Sequence, residues 1–327
     1  MISMPNVPRF LIEADLQPVQ GTRFQPTGFP DLGAATYRLH DRTEMLLVES
    51  AQSVANRLEL TAWDDAAQDL NTPVRGLSYI RVEENGSSLT NSLLEAHRLN
   101  SPYILEGEDR AFFETLKQEL SAMADRPVDL HQLARTLFRY DVNSLLHGVF
   151  LAKSELAGGR LRLPRAVSGF IEARNATIVA TGGVKNDRVN PGGETNRGFG
   201  NVPFHRDEFA AGTITAYFSV DLAQLRSYRL GEAAERMLFA LALWKIQKFL
   251  RDGLRLRTAC DLEAVDIRVT RPAGGELPSL ESLEADLPGL IESSSGLFAQ
   301  PPVTVVNHVR STAAKGRGKN KRAEDEG

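Results

Sequence analysis

The chain has 327 residues, 42% of them hydrophobic and 24% charged, enough for one large domain with insertions or two ordinary ones around a packed core. It holds no apolar run of about eighteen residues, so no membrane span is expected. The opening MISMPNVPRFLIEADLQP lacks a basic-then-apolar signal pattern, so the expected compartment is the cytoplasm.

A single cysteine, Cys260, rules out an internal disulfide and a cysteine-rich zinc site, and its apolar flanks suit an inert core thiol. The net charge of −4 argues against a uniformly basic nucleic-acid binder, but its distribution is uneven. Residues 160–206 carry eight Lys and Arg against three Asp and Glu. Residues 59–125 carry five against thirteen, and residues 261–292 two against eight. A basic island in an acidic body makes a local patch rather than a uniform field.

In chain order, a short strand is expected near Gly21–Gln25, opening into a structured loop whose Pro26, Gly28, Pro30 and Gly33 exclude a regular helix. In Met45–Glu59, Leu47, Ala51, Val54 and Leu58 recur at helical spacing. Gln52, Ser53, Asn56 and Arg57 form a polar ridge beside that face, which fits a solvated surface or a contact surface equally well. Asn71-Thr72-Pro73 and Glu84-Asn85-Gly86 read as turns, with a strand at Ser78–Glu83. Helices are expected at Glu108–Ala124 and Asp129–Tyr140. The apolar stretch from Ser144 to Ala152 reads as a strand on which His147 is packed. Alternation in Arg160–Arg165 puts Arg160 and Arg162 on one side of a further strand.

Residues 174–206 combine six glycines, five asparagines and five cations. Such a segment is either a mobile loop or a polyanion contact, because glycine admits close approach and Arg and Lys attract phosphate. After it, Thr213–Asp221 alternates strictly as a strand, and Glu232–Asp252 is a long helix between Gly231 and Gly253. Val265, Ile267 and Val269 lie on a strand ending at Pro272. Pro278–Gly296 is loosely helical and Val303–Val309 a last strand. From Ser311 the tail has nothing large and apolar to pack, so disorder is expected. The order reduces to β-α-β-β-α-β, the ferredoxin-like α+β plan that RNA-recognition modules share.

His205 is the most reactive-looking side chain. A histidine beside Arg206 is suited to general acid–base cleavage of RNA, but neighbours on a strand face opposite ways. Asp31 and Asp187 are loop aspartates that nothing marks as catalytic. There is no metal-ligand spacing, nucleophile elbow, P-loop or dinucleotide fingerprint.

Six stretches, FQPTGFPDLGAATY, LLVESAQSVANRLE, HGVFLA, GRLRLPRAVSGFIEARN, GNVPFHRDEFAAGTITAYFSVDLAQL and LRTACDLE, together resemble one family. They are similar to the Csb1-type Cas7 backbone subunits of type I-U (I-G) CRISPR surveillance complexes, members of the repeat-associated mysterious protein superfamily. The resemblance spans roughly residues 21–263.

It implies an RRM-like palm in a single domain over 1–310, with finger and thumb insertions at about 61–143 and 174–212 and a disordered tail at 311–327. It further implies a non-catalytic subunit without cofactor or metal that polymerises along guide RNA and presents the spacer to target DNA. Cas5/Cas6-type subunits and a large subunit would be its partners. The alternative within the superfamily is an endoribonuclease acting on CRISPR transcripts. Guide contacts are expected at Gln25, Thr27 and Gly28, at Gln52, Ser53, Asn56 and Arg57, and at Asn201, His205 and Arg206. The basic segments add Arg160 and Arg162, and Arg174, Lys185, Arg188, Asn196 and Arg197.

Overall fold

A computed structural model of the chain describes residues 2–29, 31–107 and 109–308. The charged tail lies outside these residues. The fold is mixed α+β. Strand β1 (Arg9–Pro18) alternates, burying Phe10, Ile12, Ala14 and Leu16. This corrects the expectation of a first strand at Gly21–Gln25. There only Phe24 makes a bridge, to Phe209.

Strand β2 (Thr36–Arg38) pairs with β3 (Glu44–Glu49), and helix α1 (Ala51–Leu60) follows. The helix expected over Met45–Glu59 is therefore a strand and a helix. Ser50 separates them, its hydroxyl accepting from the Ser53 amide at 3.2 Å as an N-cap.

The segment from 61 to 165 builds its own layer. Strands β4 (Tyr79–Glu84) and β5 (Ser87–Asn91) form a hairpin at Asn85-Gly86, and α2 (Ala111–Leu120) and α3 (Leu130–Tyr140) pack against each other. Asp129 caps α3, and Phe112 meets Tyr140 edge-on at 5.2 Å. The expected strand at 144–152 is instead helix α4 (Asn143–His147), then Gly148, then the short strand β6 (Val149–Leu151), which pairs with β7 (Leu161–Leu163). Gly148 has φ 77, a turn that ends the helix and that an L residue resists.

Strand β8 (Val167–Arg174) supplies what the 144–152 stretch was expected to supply. The basic glycine-rich segment is a long hairpin, β9 (Thr177–Lys185) and β10 (Val202–Ala210), rather than an irregular loop. Strand β11 (Thr213–Asp221) and helix α5 (Glu232–Asp252) have the bounds expected from sequence. Strands β12 (Arg255–Arg257) and β13 (Cys260–Arg271), helix α6 (Leu280–Ser294) and strand β14 (Val303–Asn307) complete the chain.

Seven strands form one antiparallel sheet, β12-β13-β1-β11-β8-β3-β2. In its centre β13, β1, β11 and β8 stand in the order fourth, first, third, second of the chain. Helices α1 and α5 cover one face, which buries Ile214, Ala216, Phe218 and Val220 of β11. α5 is buried nearly all round because α6 lies against its far side.

A register shift between Asp15 and Leu16 turns Val265 of β13 out to 56% exposure, so the apolar alternation expected there is broken. β14 pairs in parallel with β4, tying the end of the described chain to the 61–165 layer. Among the described residues no helix is long and apolar enough to cross a membrane.

Candidate nucleic-acid interface

The polar ridge of α1 is organised by a buried carboxylate. β3 ends at Glu49, and positions 49, 53 and 57 line up at helical spacing. Glu49 is 1% exposed. It accepts from the Ser53 hydroxyl, from Arg57 Nε at 3.4 Å and from the Arg257 guanidinium on β12. Arg57 also donates to the Leu256 carbonyl at 2.6 Å, and Arg257 to the Gln25 carbonyl at 2.8 Å.

Two guanidiniums thus share one carboxylate and keep a surplus positive charge at the helix. The same contacts bring the Gln25–Gly28 loop to α1. The amides of Gln25 and Thr27 donate to Ala259 and Val48, so they are not free to cradle a phosphate. What this loop can offer a ligand is its side chains.

On the neighbouring line of α1, Gln52 donates to Asn56 at 2.9 Å and accepts from Arg165, which precedes β8. Sequence reasoning singled out neither Arg165 nor Arg257. Arg160 and Arg162 do not share a strand face. Arg160 stands before β7, and its guanidinium donates to the carbonyls of Met123, Ala124 and Arg126, stapling the end of the α2 segment. Arg162 on β7 is exposed and pairs with no carboxylate among the described residues.

The β9–β10 hairpin projects from the sheet. Its base is fixed by mutual backbone bonds between Phe24 and Phe209, at 2.8 and 2.9 Å, which join it to the Gln25–Gly28 loop. Arg174, where β8 leads into it, lies 3.5 Å from Asp41. The tip is ordered by Asp187, whose carboxylate accepts from the amides of Asn190 at 3.0 Å, Gly200 at 2.9 Å and Val189 at 2.9 Å. These bonds hold its pKa below the ordinary value. Asp187 is a structural cap. Asn201 accepts from the Asp187 amide at 2.8 Å and belongs to the same turn.

Gly200 sits at φ 82 where a Cβ would lie 2.3 Å from the Gly193 carbonyl, which accounts for one glycine pair in the segment. Lys185 and Arg188 are exposed without a carboxylate partner among the described residues, and Asn196 is also exposed. Arg197 meets Glu194 at 3.2 Å, both largely exposed, a contact of little energy.

His205 stands opposite Gly182 and Arg206 opposite Thr181, on opposite faces as the alternation requires. Arg206 is held by buried Glu208 at 2.6 Å. The hairpin also exposes Val184, Val189, Phe199 and Phe204, Val189 at 95%. The two aromatic rings could have been noticed in sequence, since they stand among glycines and asparagines.

The open face of the main sheet is different. Arg268 there is surrounded by Asp15 at 2.7 Å, Glu13 at 2.9 Å and Asp266 at 3.1 Å, and Phe170 stacks on Tyr217 at 5.2 Å. Around Arg268 carboxylates outnumber the cation, and Arg9 on the same face is paired with Asp221 at 2.6 Å.

Inside the molecule Glu59, Arg98, Asp141, His147 and Lys245 form a buried polar cluster. His147 is packed as expected, and burial, then Lys245 and Arg98, push its pKa well below the ordinary value. Burial pushes the Cys260 thiol up to about 11, consistent with an inert core position. Among the described residues no group of three or more His, Cys, Asp and Glu side chains is placed to hold a metal.

The chain is thus a mixed α+β protein with cations on the ridge of one helix and on one projecting hairpin. Residues 10–178, over half of it, match the CRISPR-associated protein GSU0053 family, and the chain belongs to that family. The resemblance seen in the six sequence stretches is borne out at this level. No curated protein matches the chain.

Among solved structures it is similar to a chain of a CRISPR RNA-guided surveillance complex, pre-nicking. That likeness has 16% identity over 80% of this chain and 75% of the other, with a TM-score of 0.42. It is also similar to Csc2 of Thermofilum pendens, with 10% identity over 88% and 76% and a TM-score of 0.32.

Proposed function

We propose that this protein is a non-catalytic backbone subunit that binds guide RNA in a type I CRISPR surveillance complex. It would polymerise along the guide, present the spacer to target DNA and meet Cas5/Cas6-type and large subunits. In this reading the four central strands with α1 and α5 are an RRM-like palm in a single domain. The layer at about 61–143 and the hairpin within 174–212 are its insertions.

The observation that carries the reading is the projecting hairpin. Lys185 and Arg188 on it have no carboxylate partner among the described residues, and its base is bonded through Phe24 and Phe209 to the loop beside α1. Membership of a CRISPR-associated family supports RNA as the class of partner. The ion-paired, carboxylate-rich open sheet face would repel phosphate. These observations support a guide path along α1 and the hairpin. Binding through phosphates leaves sequence choice to base pairing.

The nuclease alternative needs His205 and Arg206 to act together. They face opposite ways, and Arg206 is committed to Glu208.

The test is to co-express the chain with its guide, size the nucleic acid that co-purifies and measure affinity against salt. Arg188→Glu is expected to weaken binding and flatten the salt dependence, whereas Arg135→Glu on the exposed side of α3 leaves both near wild type. Protein that stays RNA-free and monomeric, or equal losses in the two variants, refutes the proposal.

A further inference from the structure

We propose that Arg165 is a phosphate-binding residue on the α1 side of the molecule and that Gln52 is its positioning residue, the ligand being the backbone of single-stranded RNA. The inference rests on the reading that this chain binds guide RNA, and adds a contact that reading does not contain.

Arg165 is on a rigid mount. Before it, the Pro164 carbonyl accepts from Gln224 at 2.7 Å. After it, the Ala166 amide donates to Leu146 and its carbonyl accepts from the Asp221 amide. Gly148 backs the same stretch so closely that a Cβ there would lie 3.0 Å from the Arg165 nitrogen.

From this mount the side chain runs half-buried to Gln52, whose carbonyl oxygen takes one guanidinium N–H. The Gln52 amide is in turn tied to Asn56 at 2.9 Å, so the chain Arg165–Gln52–Asn56 fixes the fork along the exposed line of α1.

The charge of this arginine is uncompensated. It forms no ion pair with any carboxylate among the described residues, and its hydrogen-bond partner is a neutral amide. Inward, Arg98 is already matched by Glu59, so the buried cluster offers no spare anion. Burial, then Arg98, lower the Arg165 pKa against the opposing attraction of Glu59, as expected for a guanidinium partly removed from water with no carboxylate in contact. A guanidinium in that state gains from an incoming anion, and a phosphate matches its planar fork. Elsewhere on the ridge, Arg57 of α1 and Arg257 of β12 keep the surplus charge left by Glu49.

Fluorescein-labelled single-stranded RNA is titrated with full-length wild type, Arg165→Gln, Arg165→Lys and Gln52→Ala at several salt concentrations, and each variant is melted. Arg165→Gln is expected to lose roughly tenfold in affinity and to lower the slope of log affinity against log salt by about 0.7. Arg165→Lys keeps the slope and recovers part of the affinity, because it retains charge but not the fork. Gln52→Ala loses affinity at unchanged slope, since only orientation is lost.

An Arg165→Gln protein with the wild-type slope overturns the proposal, whether its melting point falls or not. A wild type that does not bind RNA overturns the underlying guide-RNA reading instead.

Discussion

Arg98→Met separates buried charge from surface charge in this fold. Glu59 lies on the last turns of α1 and Arg98 just before Ser101, and their side chains are 7% and 10% exposed. Arg98 Nη2 reaches Glu59 Oε2 at 2.6 Å while Nε reaches Oε1, a two-pronged contact that locks α1 to the 61–165 layer. Arg98 is in the left-handed region at φ 50, a strain that methionine inherits and that cancels in the comparison.

Removing the guanidinium leaves a carboxylate in the interior. Breaking such a pair costs about 3–5 kcal/mol. Lys245, fully buried and electrostatically coupled to Glu59, offsets part of the loss, so a value of about 3 kcal/mol is expected. That is a large fraction of a typical stability of about 5–15 kcal/mol.

Urea unfolding followed by fluorescence measures it, since Trp63 and Trp244 are both buried reporters. The double variant Glu59→Leu/Arg98→Met, with no orphaned carboxylate, is expected to recover to within about 1–2 kcal/mol of wild type. A single-variant loss under about 1 kcal/mol, the level of an exposed pair, would show that water reaches the contact and refute the reasoning. Arg98, although it lies in an acidic stretch, is consequently unfit as a neutral control for RNA binding.

Two further effects follow from buried groups. Burial raises the Asp141 pKa from 3.8 to about 6, against the lowering effect of its bond to Ser144. The folded chain therefore holds this proton more tightly than the unfolded chain. The resulting stability is complete below the unfolded value and is lost as pH rises through about 6, on the order of 3 kcal/mol in all. Urea midpoints across that range should show the slope in wild type and not in Asp141→Asn, and parallel profiles would contradict it. Gly148→Ala places a Cβ 2.8 Å from the Leu163 carbonyl at φ 77, so a loss of about 1–3 kcal/mol in thermal unfolding is expected, and a loss within experimental error would contradict the strain.

Elements with two independent signals were legible in the sequence. α5 has glycine at both ends and acids in its first turn, and β11 has one apolar and one polar face, so periodicity and punctuation agreed. β1 alternates just as clearly in RFLIEADLQP, although the first expected strand lies at Gly21–Gln25. The β3–α1 boundary was hidden because Leu47 happens to fall in helical phase with Ala51, Val54 and Leu58, and the Ser50 cap was the one contrary mark.

The β9–β10 hairpin gave no strand pattern for a physical reason. Most of its residues on both faces meet solvent, so no burial imposes a period of two, and its glycines read as loop. The site was less legible still. Arg165 reaches Gln52 and Arg257 reaches Glu49 across more than a hundred residues of chain, juxtapositions that no local spacing encodes.

The basic island marks where the field is positive but not which side chains can grip an anion. Charge acts at a distance, whereas phosphate recognition needs free N–H groups aimed outward. Arg160 keeps its charge, yet its guanidinium is turned to three main-chain carbonyls. Arg206 is neutralised by Glu208, and Arg174 stands near Asp41. Lys185 and Arg188 on the hairpin, and Arg165 beside α1, have no carboxylate against them among the described residues. The island thus resolves into a few unspent donors on the hairpin, beside α1 and, with Arg162, on β7, while Arg160, Arg174 and Arg206 hold the frame between them.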